Sequence, residues 1–268
     1  MASTPAGPVS PVHALVTGPP DSHGILLLHG TGGSPQTNFP FQAALPGRVV
    51  APFYPGTGPA PAAEGPIELD HLVATALAAV DHAELTTVDV VGYSLGSAIA
   101  VGFAARHPHR VRRLVLSAGL AHASPSLRLT LATWLALLDR TGDPDGAMAL
   151  GRFLAWASSS EEFWDRAGNS HEPEDVAALI AADIPPGSAE LARLGLRLDV
   201  RPDLPRVTAP TLVVVTTDDR LIHPSHSDTL LAGITAARRI DIRSGHNLAW
   251  EMPSEFQGII LEHLTTAK

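Results

Sequence analysis

The chain has 268 residues, 45% of them apolar and 17% charged, with a formal net charge of −9. That is enough apolar side chain for a large core and too few charges for a disordered chain. The absence of cysteine excludes disulfides, thiolate nucleophiles and cysteine zinc sites. The 18 Lys and Arg form no basic stripe and no uninterrupted apolar run could span a bilayer, which argues against nucleic acid and membrane partners.

Residues 1–10 are small residues and prolines, read as a flexible lead-in. They lack the basic start and apolar run of a secretory leader, so the expectation is a cytoplasmic protein. Residues 11–17 can form one strand. Residues 24–28, Gly-Ile-Leu-Leu-Leu, read as a strand buried on both faces, and lead into the glycine-rich loop His29-Gly30-Thr31-Gly32-Gly33. A strand over 48–53 precedes a Pro/Gly loop over 54–66. Residues 67–84 form a helix whose apolar stripe is Leu69, Leu72, Val73, Ala76, Leu77 and Val80. A strand over 87–91, a helix over 94–107 stopped by Pro108, and a strand over 113–116 follow.

This alternation predicts a mostly parallel sheet covered by helices on both faces. It then breaks. Residues 120–206 show only helices, at 126–140, 144–157, 161–167, 174–182 and 189–198, with Asp143 capping the second and Pro144 at its first position. Alternation resumes with a strand over 211–217, a helix over 227–231, a strand over 239–242 and a closing helix from Ser254, which has capping-box spacing to Gln257. The reading is a core of residues 1–119 and 207–268, interrupted by a helical insertion over 120–206.

Residues 92–96 read Gly-Tyr-Ser-Leu-Gly, between a predicted strand and a predicted helix. In that context Ser94 sits at a tight elbow with its hydroxyl exposed, and the helix N-terminus offers free N–H groups where negative charge would develop. The plainer reading is a serine N-cap on an ordinary helix. A serine hydroxyl needs a base, and His246, in the short loop Ser244-Gly245-His246-Asn247 after the last strand, is placed to supply it. An imidazole needs an orienting acid, and the strand over 211–217 ends in Asp218-Asp219, either of which could serve.

These motifs resemble those of the α/β-hydrolase superfamily, and the likeness covers nearly the whole chain. It is carried by His29-Gly30-Thr31-Gly32-Gly33, Gly92-Tyr93-Ser94-Leu95-Gly96, Asp218-Asp219-Arg220-Leu221-Ile222 and Gly245-His246-Asn247, in the family's order Ser, Asp, His. The resemblance implies an α/β-hydrolase fold with a central sheet of about seven or eight strands and an all-helical cap. With room for about one strand before the one ending in His29, seven is expected. Aligning the family pattern Gly-x-x-Asp-x-x-x-Pro puts the acid at Asp219, although Thr216 replaces the glycine and His223 the proline. It also implies that the backbone N–H groups of Thr31 and Leu95 form an oxyanion hole.

Trp134, Phe153, Trp156 and Trp164 lie in the inserted helices and, with His29 and Tyr93, are candidate substrate contacts, as is Phe163. Packing within the insertion is the simpler role for most of them. The expected substrate is a bulky or acyl-chain small molecule. His171, His223 and His226 lack the accompanying carboxylates of a metal site, so neither metal nor cofactor is implied. The expected activity is a serine hydrolase acting on an ester, thioester or lactone, with amides less favoured. The alternatives are a lyase, cyclase or carbon–carbon bond hydrolase of natural-product biosynthesis with the same three residues, and a ligand-binding member of the fold. Oligomeric state leaves no signal in the sequence.

Overall fold

The computed structural model describes residues 12–167 and 172–265; the lead-in over 1–10 and His171 lie outside the described residues. Seven strands form one sheet: β1 (Ala14–Thr17), β2 (Gly24–Leu28), β3 (Arg48–Pro52), β4 (Val88–Tyr93), β5 (Val111–Ser117), β6 (Thr211–Thr216) and β7 (Ala237–Ile242). Their spatial order is β1-β3-β2-β4-β5-β6-β7. β1 runs antiparallel to β3 and the other pairs are parallel, the mostly parallel sheet that the alternating pattern predicts, with the seven strands that the single early strand implies.

The helices among the described residues are α1 (Pro35–Asn38), α2 (Leu69–His82), α3 (Leu95–Arg106), α4 (Pro125–Leu138), α5 (Pro144–Ser158), α6 (Glu161–Ala167), α7 (Pro173–Ala182), α8 (Ser188–Gly195), α9 (Ser225–Gly233), α10 (Leu248–Glu251) and α11 (Pro253–Thr265). Successive strand residues point to opposite faces. In β2, Leu26 and Leu28 join Leu72, Ile99, Phe103 and Leu230 of α2, α3 and α9 in one core. Ile25 and Leu27 join Phe256 and Ile260 of α11 in the other.

The insertion between β5 and β6 carries α4 to α8. It holds no described strand, only an isolated bridge between His122 and Asp199. Leu127, Leu131, Trp134 and Leu150 of the insertion belong to the same apolar cluster as the α2–α3 face of the sheet. The insertion therefore packs on the core as part of it. Asp143 caps α5 as expected, accepting the Gly146 N–H at 2.8 Å.

Three local expectations fail. α1 and α10 are four-residue helices with no counterpart among the predicted elements, being too short to show a helical period. α11 begins at Pro253, so Ser254 lies inside the helix rather than capping it.

This topology fixes where a site can form. From β2 the chain moves to β3 on one side, then crosses to β4 on the other. The carboxyl ends of β2 and β4 thus flank the point where strand order reverses, where an open α/β sheet leaves a crevice. The His29–Gly33 loop follows β2 and Ser94 follows β4.

Candidate active site

Ser94 is the single residue between β4 and α3, with φ 55° and ψ −122°. A non-glycine residue with positive φ is strained and must be held by its surroundings. Its N–H donates to the Ser117 carbonyl at 2.9 Å, and its carbonyl accepts the Ser97 N–H at 2.9 Å. The close approach of strand and helix explains Gly96: a Cβ there would lie 1.9 Å from the Leu28 carbonyl oxygen. Leu95 opens α3, so its N–H has no carbonyl one turn back within the helix to bind.

The structure brings the three distant side chains together. His246 Nε2 lies 3.0 Å from Ser94 Oγ, and Nδ1 lies 2.7 Å from Asp219 Oδ2. All three residues are buried, at 7%, 5% and 4% exposure for Ser94, His246 and Asp219. A carboxylate can only accept, so Nδ1 carries the hydrogen and the Nε2 lone pair faces the serine hydroxyl. Asp219 is itself held. Its Oδ1 accepts the N–H groups of Leu221 and Ile222 at 2.9 and 2.7 Å, and its Oδ2 also accepts the Thr216 hydroxyl at 2.9 Å. Thr216 is the residue that replaces the family glycine. Asp218, half-buried, turns away toward Arg243 at 3.6 Å.

The loop carrying His246 is tied on three sides. Tyr93 donates its hydroxyl to the His246 carbonyl oxygen. Burial, with the negative charges of Asp219 and Glu251 nearby, raises the Tyr93 pKa, so this donor keeps its proton. Asn247 donates its N–H to the Ser158 carbonyl at 2.7 Å. Glu251 accepts the Gly245 N–H with both oxygens at 3.2 Å, and takes the Ser160 N–H and hydroxyl at 3.0 and 2.5 Å. The turn between α5 and α6 is thereby fastened to the histidine loop.

A cavity of about 550 Å³ opens above Ser94. Of the candidate substrate contacts, Tyr93 and Trp134 line it, together with Thr31. Five other candidates do not, among them Phe163, which packs edge-on against Trp164 at 5.1 Å. His29 is fully buried behind the loop, stacked on Tyr54 at 4.0 Å with Nδ1 2.9 Å from the Gly30 carbonyl; burial lowers its pKa to about 4, so it is neutral. Phe153 packs into the core. Trp156 is 58% exposed beneath the Arg220 guanidinium, and shares with Trp164 an outer groove of about 270 Å³. The reason is helical phase. On α5 the cavity-lining residues are Leu154 and Ser158, one turn apart, and Trp156 between them points the opposite way.

The sequence reading missed Asn38, whose Oδ1 accepts the Gly30 N–H at 2.8 Å, and the α7 residues Leu179 and Ile180 of the cavity wall. The Ser34-Pro35 pair, with Thr37 completing a capping box, was the available signal for α1 and hence for Asn38. His223 Nδ1 pairs with Ser225 Oγ at 2.9 Å and His226 Nε2 with Ser124 Oγ at 3.1 Å. Among the described residues no three His, Asp or Glu side chains cluster as a metal site would require. No described helix is long and apolar enough to cross a membrane.

A parallel sheet with a strained serine elbow at its switch point defines a known class. Residues 25–253 match the α/β hydrolase fold family, and the chain belongs to it. It is 31% identical over 237 residues to pyrrolizixenacetamide deacetylase of Xenorhabdus hominickii, covering 87% of each chain. It is 28% identical over 250 residues to a putative carbamate hydrolase, RutD, of Caulobacter segnis, covering 91% of each. The solved enol-lactonase of Burkholderia xenovorans shares the fold, with a TM-score of 0.81, 23% identity and coverage of 95% of this chain and 96% of that one.

Proposed function

We propose that the protein is a serine hydrolase that cleaves an acyl bond of a bulky or apolar small molecule through an acyl-enzyme. The observation that carries this reading is the continuous relay from Ser94 Oγ to His246 Nε2 at 3.0 Å and from His246 Nδ1 to Asp219 Oδ2 at 2.7 Å, set at a strained elbow.

Ser94 Oγ attacks the substrate carbonyl carbon, and its proton passes to His246 Nε2. Asp219 stabilises the imidazolium. The N–H groups of Thr31 and Leu95 receive the developing oxyanion, a contribution on the order of 3 kcal/mol per donor. Collapse of the tetrahedral intermediate expels the leaving group, which takes the proton back from His246. Water, deprotonated by the same imidazole, then releases the acid and restores Ser94.

Apart from His246 and the Tyr93 phenol, which keeps its proton, Asp183 is the one titratable side chain among the described residues of the cavity wall, and no Lys or Arg lines it. A substrate carboxylate would find no partner there. Esters, thioesters and lactones fit this chemistry. Relatives named for removing an acetyl group and for hydrolysing a carbamate bring amide-type bonds onto the same footing. The helices over 120–206 act as a cap that shapes the cavity.

A fluorophosphonate probe tests the assignment. Stoichiometric labelling of the native protein, lost in Ser94→Ala, is the expected result. Absence of labelling, or equal labelling of both proteins, overturns it. On the natural substrate, Ser94→Ala and His246→Ala should both abolish turnover. Retention of most activity by Ser94→Ala alone would instead favour the lyase or carbon–carbon bond chemistry.

A further inference from the structure

We infer that the site divides its substrate at the scissile bond, and that the acyl side admits little more than a methyl group, so that the natural substrates are acetyl derivatives of bulky alcohols or amines. This rests on the acyl-enzyme reading above. Two cavities meet at Ser94. The large one, about 550 Å³, is lined by His246 and Asn247. The small one, about 20 Å³, is bounded by Leu95, Leu120, Leu127, Leu131, Gly195 and Ile222, and His246 does not line it. Thr31, Ser94, Trp134 and Leu221 border both.

The chemistry assigns the two halves. The leaving atom must take its proton from His246 Nε2, so the leaving group lies on the side where the imidazole is exposed, in the large cavity. The carbonyl oxygen points to the Thr31 and Leu95 N–H groups. The remaining substituent on the carbonyl carbon, the acyl chain, is directed into the small pocket. Its volume is about that needed by one water-sized group, and its walls are packed side chains: Leu120, Leu127, Leu131 and Ile222 are each 6% exposed or less. The back wall is tight as well, since a Cβ on Gly195 would come within 2.8 Å of Leu131 Cδ1. A longer acyl chain must displace close-packed core. In the reaction, the bond between the acetyl carbon and the leaving oxygen or nitrogen breaks and an ester to Ser94 Oγ forms. The leaving group departs with the His246 proton, and water then releases acetic acid.

Two ester series test this on the native protein. In the first, p-nitrophenyl esters lengthen from acetate to octanoate; in the second, acetates of phenol are compared with acetates of larger aryl alcohols. kcat/KM is expected to fall at least tenfold from acetate to butyrate, in line with what one or two methylenes are worth in a fixed pocket. Across the acetates it should hold or rise. Leu131→Ala should raise the hexanoate-to-acetate ratio at least tenfold; if that variant does not fold, Leu131→Val should raise the propionate-to-acetate ratio. A butyrate or hexanoate rate equal to the acetate rate overturns the partition, as does preference for methyl esters of bulky acids over acetates of bulky alcohols. Fluorophosphonate labelling of the same sample separates the two failures. A labelled enzyme with the reversed profile loses only the partition, whereas an unlabelled one that turns over neither series loses the hydrolase reading and the partition with it.

Discussion

Glu251 and Ser160 stand 91 residues apart in sequence, yet the carboxylate takes both the hydroxyl and the N–H of Ser160 while also holding the Gly245 N–H. Glu251 is buried and its partners, apart from the Ser160 hydroxyl, are backbone N–H groups that can only donate. Glu251→Gln keeps the shape but turns one acceptor into a donor among donors. The expected cost is about 2 kcal/mol, which lowers Tm by roughly 4–8 °C. Because the same contacts hold the loop of His246, kcat should fall while KM changes little. A thermal melt and a kinetic run on a reference ester check both. A Tm within 1 °C of the native protein with kcat unchanged would show that the strap does not position the histidine.

Thr216 occupies the place of a family glycine and gives its hydroxyl to Asp219 Oδ2, the oxygen that faces His246 Nδ1. Thr216→Val preserves the β-branched shape in β6 and deletes the donor. A hydrogen bond to a charged group contributes about 1.5–3 kcal/mol. If about half of that reaches the transition state, kcat/KM falls roughly tenfold. Thr216→Ser, which restores the hydroxyl, should recover most of the loss. Equal impairment by Val and Ser would identify a packing effect instead.

The sheet was legible because buried parallel strands are unbroken apolar runs: the predicted strand over 24–28 coincides with β2, and 48–53 and 211–217 each overrun β3 and β6 by one residue. The helical insertion was legible through its caps, notably Asp143-Pro144. The elbow and the histidine loop were legible as motifs, but the choice of Asp219 over Asp218 came from the family pattern, since adjacent turn residues carry no periodicity. Asn38 and Glu251 lie in or beside four-residue helices, and the partners of Glu251 lie mostly on a distant turn, so no local spacing marks them. Trp156 misled because aromatic content says nothing about which side of a helix faces the cavity.

His29 is fully buried with a pKa lowered from 6.5 to about 4 by burial. The folded state thus stays neutral at this site while the unfolded chain takes up a proton below pH 6.5. The stability contributed is whole above 6.5 and is lost as pH falls from 6.5 toward 4. At pH 5 the loss from this residue is about 2 kcal/mol. His226, also lowered to about 4 mainly by burial, acts in the same direction and window. Urea unfolding at pH 7.5 and at pH 5 should show a lower midpoint at the acid pH, and His29→Gln should reduce that difference. A difference unchanged by the substitution would mean that other groups carry the acid sensitivity.

Asn38 accepts the Gly30 N–H at 2.8 Å, which requires its oxygen rather than its amide nitrogen to face the loop. The next residue is Thr31, whose N–H is assigned to the oxyanion. Asn38→Ala frees the loop at the point where the N–H direction is set, so the deficit should appear in the transition state and not in substrate binding. The expected result is a roughly tenfold fall in kcat with KM nearly constant, about 1.4 kcal/mol of the donor's contribution. Labelling by the fluorophosphonate, whose P–O oxygen also occupies the oxyanion position, should slow in parallel. A rise in KM with kcat preserved would instead make Asn38 a wall of the substrate cavity, which it also lines.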